Sequence, residues 1–207
     1  MDGTDRTFSV RIVQDHRDDS HTYGVQQYYY HPLYFGSDSK TDLTYDIALL
    51  KLKSQIPIPI IASQTINRQP FVNSICLPDK DIVNTDEELA LTAGFGQTDQ
   101  EEYNLGPLLM GWIKLDKVDN NYTDLSANTI IAHRYPINTG TAVCKGDSGG
   151  PVIQYVGGRA VLIGLNKLIT IENSGENCLP YKSHHTMQFT RVSKFIDWIV
   201  DTVNNNN

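Results

Sequence analysis

The chain has 207 residues, of which 40% are hydrophobic and 20% charged, with 15 glycines and 9 prolines. These proportions are typical of a folded, loop-rich globular protein and exclude collagen, coiled coil and low-complexity chains. The 17 Lys and Arg residues stand against 24 Asp and Glu residues, a net charge of -7. This charge would repel a phosphate backbone, so no nucleic-acid partner is expected.

No segment is apolar enough to predict a membrane span. The densest apolar run, Ile56 to Ala62, is short and contains Pro57 and Pro59. The first six residues are polar and acidic, so no signal peptide is expected within this chain. The 3 cysteines are an odd number, so at least one thiol must be free or have its partner elsewhere.

Alternation of apolar and polar residues predicts short antiparallel strands along most of the chain. In chain order these are Phe8 to Ile12, Val25 to Tyr29, Ile47 to Leu52, Ile113 to Leu115, Val152 to Val156, Arg159 to Leu165 and Met187 to Val192. Gly157 and Gly158 join two of them, and because both can adopt a positive φ they predict a two-residue hairpin turn.

One segment near the C-terminus has helical spacing. Its apolar residues are Phe195, Ile196, Ile199, Val200 and Val203. Ser193 is the candidate N-cap. The final asparagines, 204–207, have nothing to bury and are expected to fray. The sequence therefore predicts a mostly β protein that closes with a helix.

The strongest chemical signal is Cys-Lys-Gly-Asp-Ser-Gly-Gly-Pro at 144–151. Such glycines permit a tight turn that exposes Ser148 Oγ and aims the N–H groups of Gly146 and Ser148 at one point, where an oxyanion would sit. A bare Gly-x-Ser-x-Gly match also fits an ordinary surface turn. The nucleophile elbow of an α/β-hydrolase fits poorly, because Pro151 and a predicted strand follow the serine instead of a helix.

The octapeptide resembles the nucleophile segment of the chymotrypsin and trypsin family of serine endopeptidases. Other segments match that family in the same order: His31-Pro32-Leu33-Tyr34, Tyr45 to Leu52, Ser74 to Pro78, Ala93 to Gly96 and Phe189 to Ile199. The resemblance runs from about Val10 to Ile199. It implies an all-β, chymotrypsin-like double antiparallel β-barrel with the active site in a cleft between the barrels.

By this resemblance, residues 1–207 form a single peptidase domain that lacks its N-terminal part. Residues 1–78 would hold the rest of an incomplete first barrel, 79–192 the second barrel and 193–203 the C-terminal helix.

The resemblance also implies catalytic roles. Ser148 would attack a peptide carbonyl, Asp46 would orient a histidine, and the histidine would shuttle the proton. The family's Ala-Ala-His-Cys type segment is absent, and solvated or structural roles are expected for all 6 histidines present, which are His16, His21, His31, His133, His184 and His185.

Asp147 matches the aspartate that pairs with the family's freed N-terminal amine, and the Ile-Val-Gly-Gly type start is also absent. Without a base and without that amine, the chain alone is expected to be inactive. Ser148→Ala is then expected to leave its peptide hydrolysis unchanged.

The cysteines fit the same family. The resemblance pairs Cys144 with Cys178, and closing that loop would stabilise the fold by about 4 kcal/mol. It places the usual partner of Cys76 upstream of Met1. A disulfide implies an oxidising, secreted setting. Asn121-Tyr122-Thr123 is a candidate glycosylation site.

The resemblance places Ala142 at the floor of the primary specificity pocket, with Ile169 and Met187 filling it, which favours apolar or small side chains over basic ones. The expected partners are protein or peptide substrates or inhibitors of a monomer, and no metal or cofactor is implied. Three hypotheses follow: a secreted serine endopeptidase, a non-catalytic relative that binds proteins, and an esterase of another fold.

Overall fold

The structure is a computed structural model that describes residues 8–12, 21–34, 43–58, 73–79, 89–98, 108–116, 127–137, 139–170 and 186–206. The strands are β1 (Ser9–Ile12), β2 (His21–Tyr30), β3 (Ala48–Leu52), β4 (Leu89–Gly94), β5 (Leu109–Leu115), β6 (Thr129–Arg134), β7 (Pro151–Val156), β8 (Arg159–Thr170) and β9 (Thr186–Arg191). Two 3-10 turns, Leu43–Tyr45 and Val192–Phe195, and the helix α1 (Ile196–Asn205) complete the elements. The predicted mostly β chain with a C-terminal helix is confirmed.

The chain divides into two compact units, the first within residues 1–30 and 48–74 and the second within 31–47 and 75–207. In the first unit, β1, β2 and β3 form an antiparallel sheet in that order. Val10 pairs with Tyr23, and Tyr29 pairs with Leu49. The alternation read from the sequence predicted all three strands.

The second unit is a closed six-stranded barrel with the strand order β4-β5-β6-β9-β8-β7. Alternate residues of these strands point inward and form one apolar core. Its fully buried members include Ile113, Leu115, Val152, Met187 and Phe189. The strands β4 and β6 were not predicted, and β6 contains His133.

The hairpin between β7 and β8 has the predicted turn. Gly157 has φ 57° and Gly158 has φ 78°, and Val156 pairs with Arg159 across the turn. Both glycines adopt the left-handed conformation that a primed turn requires. This prediction is confirmed.

The start of the C-terminal helix differs from the prediction. The chain leaves β9 through the 3-10 turn Val192–Phe195, and α1 then begins with Phe195 in the N-cap position and without a side-chain cap. Ser193 is buried inside the turn, so its predicted capping role is wrong. The helix also ends later than predicted, at Asn205 instead of residue 203. The residue that follows it, Asn206, donates its backbone N–H to the Val203 carbonyl and its side-chain amide to the Thr202 carbonyl.

Among the described residues, no helix has the length and apolar character that crossing a bilayer requires.

Candidate active site

Ser148 is exposed in a tight turn that leads into β7. Asp147 donates its N–H to the Cys144 carbonyl at 3.1 Å, and Gly150 donates to the Asp147 carbonyl at 2.9 Å. Gly146 and Gly149 flank the serine with φ values of 95° and 80°. Since other residues rarely adopt these angles, the glycines explain how the chain turns twice within a few residues.

The Asp147 carboxylate is bound by the protein's own backbone. Its Oδ1 accepts the Gly96 N–H at 2.7 Å, and its Oδ2 accepts the Cys144 N–H at 2.8 Å. A Cβ on Gly94 or on Gly96 would collide with this carboxyl group. The sequence led us to expect an aspartate without a partner, whereas the structure gives it two charge-assisted hydrogen bonds.

The two candidate oxyanion donors are the N–H groups of Gly146 and Ser148. In both peptide groups the carbonyl is fixed by a hydrogen bond. The Lys145 carbonyl, which shares a peptide group with the Gly146 N–H, accepts the Gln97 N–H at 2.8 Å. The Asp147 carbonyl, which shares one with the Ser148 N–H, accepts the Gly150 N–H. Within the described part of the chain, neither donor has a backbone acceptor outside the regular elements. Among the described residues, both N–H groups thus lack such a backbone acceptor, which is what an oxyanion-binding role would require.

Asp46 lies half-buried between the 3-10 turn Leu43–Tyr45 and β3. Its carbonyl accepts a hydrogen bond from Thr190 Oγ1 of β9 at 2.9 Å. Burial raises the pKa of the Asp46 carboxyl, and the positive charge of Lys167 partly offsets that rise. Lys167 is therefore close enough to act on the carboxylate, and the residue types and their spacing had not indicated this role.

His31 lies in an aromatic cluster and not in a catalytic arrangement. Its ring stacks on Tyr45 with centroids 4.8 Å apart and contacts Phe195 and Trp198. Its Nδ1 accepts the Leu33 N–H at 3.2 Å. Burial lowers the pKa of the imidazole, which agrees with the structural role expected from the sequence.

The acidic partner of His133 is Asp116 and not Asp46. Its Nε2 lies 3.1 Å from Asp116 Oδ2, and both side chains are about one-third exposed. The side chain of His21 and the residues His16, His184 and His185 lie outside what is described. Among the described side chains, the two histidines are thus both engaged with other groups.

Of the three residues predicted for the specificity pocket, Ile169 and Met187 lie on barrel strands, whereas Ala142 lies in the segment before β7. Ile169 of β8 pairs directly with Met187 of β9. Met187 is fully buried in the barrel core, and Ala142 packs against that core while partly buried. Their role in a pocket stays a prediction.

Cys76 is a free, exposed cysteine, whereas Cys144 is disulfide-bonded. Its predicted partner Cys178 and the candidate glycosylation site Asn121 lie outside the described residues, so the pairing and the modification stay predictions. No cluster of metal-ligating side chains occurs among the described residues.

A closed six-stranded antiparallel barrel, a second antiparallel sheet and a C-terminal helix together define the chymotrypsin-like fold. The trypsin family model matches residues 3–199. The chain therefore belongs to the trypsin family.

Curated relatives agree with this assignment. The chain is 28% identical to urokinase-type plasminogen activator from Gallus gallus over an aligned region of 165 residues. This region covers 77% of this chain and 35% of the relative. Over 194 residues it is 27% identical to the hepatocyte growth factor activator serine proteases of Canis lupus familiaris, covering 90% of this chain and 27% of the relative. The hepatocyte growth factor activator serine protease of Homo sapiens is 26% identical over 194 residues, which again cover 90% of this chain and 27% of the relative. The chain thus spans about a third or less of these relatives.

Proposed function

We propose that this domain belongs to a serine-type peptidase that acts through an acyl-enzyme on Ser148, with a general base that the described residues do not supply. The observation that carries the proposal is the turn itself: an exposed serine, two adjacent N–H donors, and an Asp147 carboxylate bound to the backbone at 2.7 and 2.8 Å. Ser148 Oγ would bond to the scissile carbonyl carbon while its proton passes to a base. The oxyanion would be stabilised by the N–H groups of Gly146 and Ser148.

The rest of the reaction follows from the same groups. The protonated base, oriented by Asp46, would give its proton to the leaving amine as the C–N bond breaks. Water, deprotonated by the same base, would then attack the ester carbonyl, and Ser148 would leave with the proton restored.

We infer that the 207-residue chain by itself does not turn over peptides. His31 is held by the Leu33 N–H and by aromatic rings, and His133 is bound to Asp116. Neither described histidine therefore pairs with Asp46, and a serine hydroxyl without a base is a weak nucleophile.

The test is covalent labelling of Ser148 by a fluorophosphonate, with and without imidazole as an external base, read by intact mass. We expect little labelling in plain buffer and clear acceleration by imidazole. Ser148→Ala should abolish the accelerated labelling, and denatured protein should show none. Absence of labelling under both conditions would overturn the nucleophile assignment.

A second candidate function is protein binding by a non-catalytic relative. The electrostatic influence of Lys167 on Asp46 favours it, because a cation that acts on this carboxylate offsets part of its charge without an imidazole. Tight calorimetric binding of a polypeptide serine-protease inhibitor, unchanged by Ser148→Ala and without imidazole-assisted labelling, would support this candidate instead.

For either function we propose protein or peptide partners, an extracellular setting and a monomer. The names of the relatives include a plasminogen activator and hepatocyte growth factor activators, which are consistent with protein substrates. Ala142, with Ile169 and Met187, supports a preference for apolar or small side chains. Peptide inhibitors with Ala, Leu or Lys at the cleavage position would test this, and preference for Lys would contradict it.

A further inference from the structure

Asn166 of β8 is a buried polar residue that contacts the nucleophile turn at three places. Its backbone carbonyl accepts the Gly149 N–H at 2.8 Å, and its own N–H donates to the Gly150 carbonyl at 2.8 Å. Its side-chain Nδ2 donates to the Asp147 carbonyl at 3.1 Å. Asn166 therefore holds the chain immediately before and immediately after Ser148.

The carboxamide of Asn166 is itself fixed from inside the barrel. Thr92 of β4 donates its hydroxyl to Asn166 Oδ1 at 3.0 Å, and both side chains are almost fully buried. A carbonyl can only accept a hydrogen bond, so Asn166 must present its NH2 group to Asp147. The Thr92 hydroxyl satisfies the opposite end of the amide.

The consequence follows from the geometry of the peptide bond. The Asp147 carbonyl and the Ser148 N–H belong to one planar, trans peptide group and point in opposite directions. Any hydrogen bond that fixes the carbonyl therefore fixes the direction of the N–H. The Asp147 carbonyl has two donors, the Gly150 N–H and Asn166 Nδ2.

We propose that Asn166, held by Thr92, is a positioning residue that sets the orientation of the Ser148 N–H as an oxyanion donor. The proposal rests on the proposed function for its catalytic meaning, but its structural content is independent of activity. Asn166 acts through the Asp147–Ser148 peptide group and does not touch the reacting atoms. An apolar residue at this position could retain the two backbone hydrogen bonds, but not the side-chain bond.

The first readout needs no catalysis. In protein labelled with carbonyl-13C Asp and 15N Ser, only the three Asp–Ser peptide bonds of the chain give correlated signals. Ser148→Ala identifies the signal of the Asp147–Ser148 bond. Asn166→Leu should shift this carbonyl and amide nitrogen, because losing a hydrogen bond at the carbonyl changes the polarisation of the whole amide. The Asp19–Ser20 and Asp38–Ser39 signals are the internal reference.

The second readout is the imidazole-assisted labelling of Ser148. Asn166→Leu is expected to slow it by roughly tenfold or more, as loss of an oriented oxyanion donor does. Asn166→Asp is a second variant that keeps the shape and the acceptor for Thr92 while losing the donor, and it should slow labelling similarly at neutral pH. Gln154→Leu is the matched control, since Gln154 is a buried polar residue of β7; it should leave labelling within about twofold.

The outcomes separate the two proposals. If the parent is labelled and Asn166→Leu slows labelling no more than Gln154→Leu does, the positioning role is wrong. If the parent is never labelled, the proposed function fails, and the amide signals alone decide. An unmoved Asp147–Ser148 signal in folded Asn166→Asp would then overturn the positioning role, and a moved signal would support it.

Discussion

Asp46 shows how one half-buried carboxyl group couples stability to pH. Burial raises its pKa above the ordinary Asp value, and Lys167 offsets only part of the rise. The folded state therefore binds the proton more readily than the unfolded state does. Its contribution to stability is present below the ordinary Asp pKa and is lost as the pH rises through the raised value.

We therefore expect Asp46→Asn to stabilise the protein more at neutral pH than at acidic pH, because the amide cannot ionise. Urea unfolding at pH 7 and pH 3 would measure the difference in the free energy of unfolding. Asp201→Asn, on an exposed position of α1, is the matched control and should change stability equally little at both pH values. A larger gain for Asp46→Asn at pH 3 would contradict the direction of the pKa shift.

At the scale of elements, the β7–β8 hairpin depends on the backbone conformation of its turn. An added Cβ at Gly157 meets nothing within 4 Å, and its φ of 57° lies in the left-handed region. Substitution there is therefore costly through the backbone alone. Asparagine tolerates this region, whereas a β-branched residue does not.

We expect Gly157→Asn to be nearly neutral and Gly157→Val to lower the free energy of unfolding by about 1–2 kcal/mol. Thermal and urea unfolding would measure both. Because an added Cβ meets nothing within 4 Å, crowding at that atom does not account for the difference. Equal destabilisation by the two variants would show that the left-handed conformation is not the cause.

The sequence predicted elements where local patterns decide them, and it failed where one strand changes register. Alternation found β1, β2, β3 and β9, and paired glycines found the hairpin. In β8, however, Val152 pairs with Gly164 and Ile153 with Leu162, so Ile163 is an extra residue and the alternation moves by one. This extra residue is a β-bulge, and as a result Asn166 faces inward. No pattern in the sequence predicts the bulge.

The site was predictable to a similar extent. The octapeptide singled out Ser148 and its two adjacent N–H groups. One partner of the Asp147 carboxylate, the Gly96 N–H, lies far away in the sequence, and residue types alone cannot reveal it. The position of Lys167 follows a second irregularity, since Asn166 pairs with Phe189 and Leu168 with Gln188, leaving Lys167 between them.

At the scale of the whole molecule, the reactivity of the cysteines shows which of them form a disulfide bond. Cys76 is free and exposed, and Cys144 is disulfide-bonded. With the predicted Cys144–Cys178 bridge, one thiol per chain should react with Ellman's reagent, and unfolding in denaturant should expose no further thiol.

Cys76→Ser should then remove the whole signal, and full reduction of the parent before titration should raise it to three thiols. The bridge should also stabilise the chain by about 4 kcal/mol over the reduced form. Three reactive thiols in the unreduced, denatured protein would contradict the predicted pairing.

The Asp147 carboxyl group occupies the space that side chains at Gly94 and Gly96 would need. A Cβ at Gly96 would lie 2.6 Å from each carboxylate oxygen. These three positions are therefore expected to be coupled: an alanine at Gly96 would force the Asp147 carboxyl group to move away from the Gly96 N–H that it accepts. A side chain at Gly94 or Gly96 should therefore cost less in a background from which the Asp147 carboxyl group has already been removed.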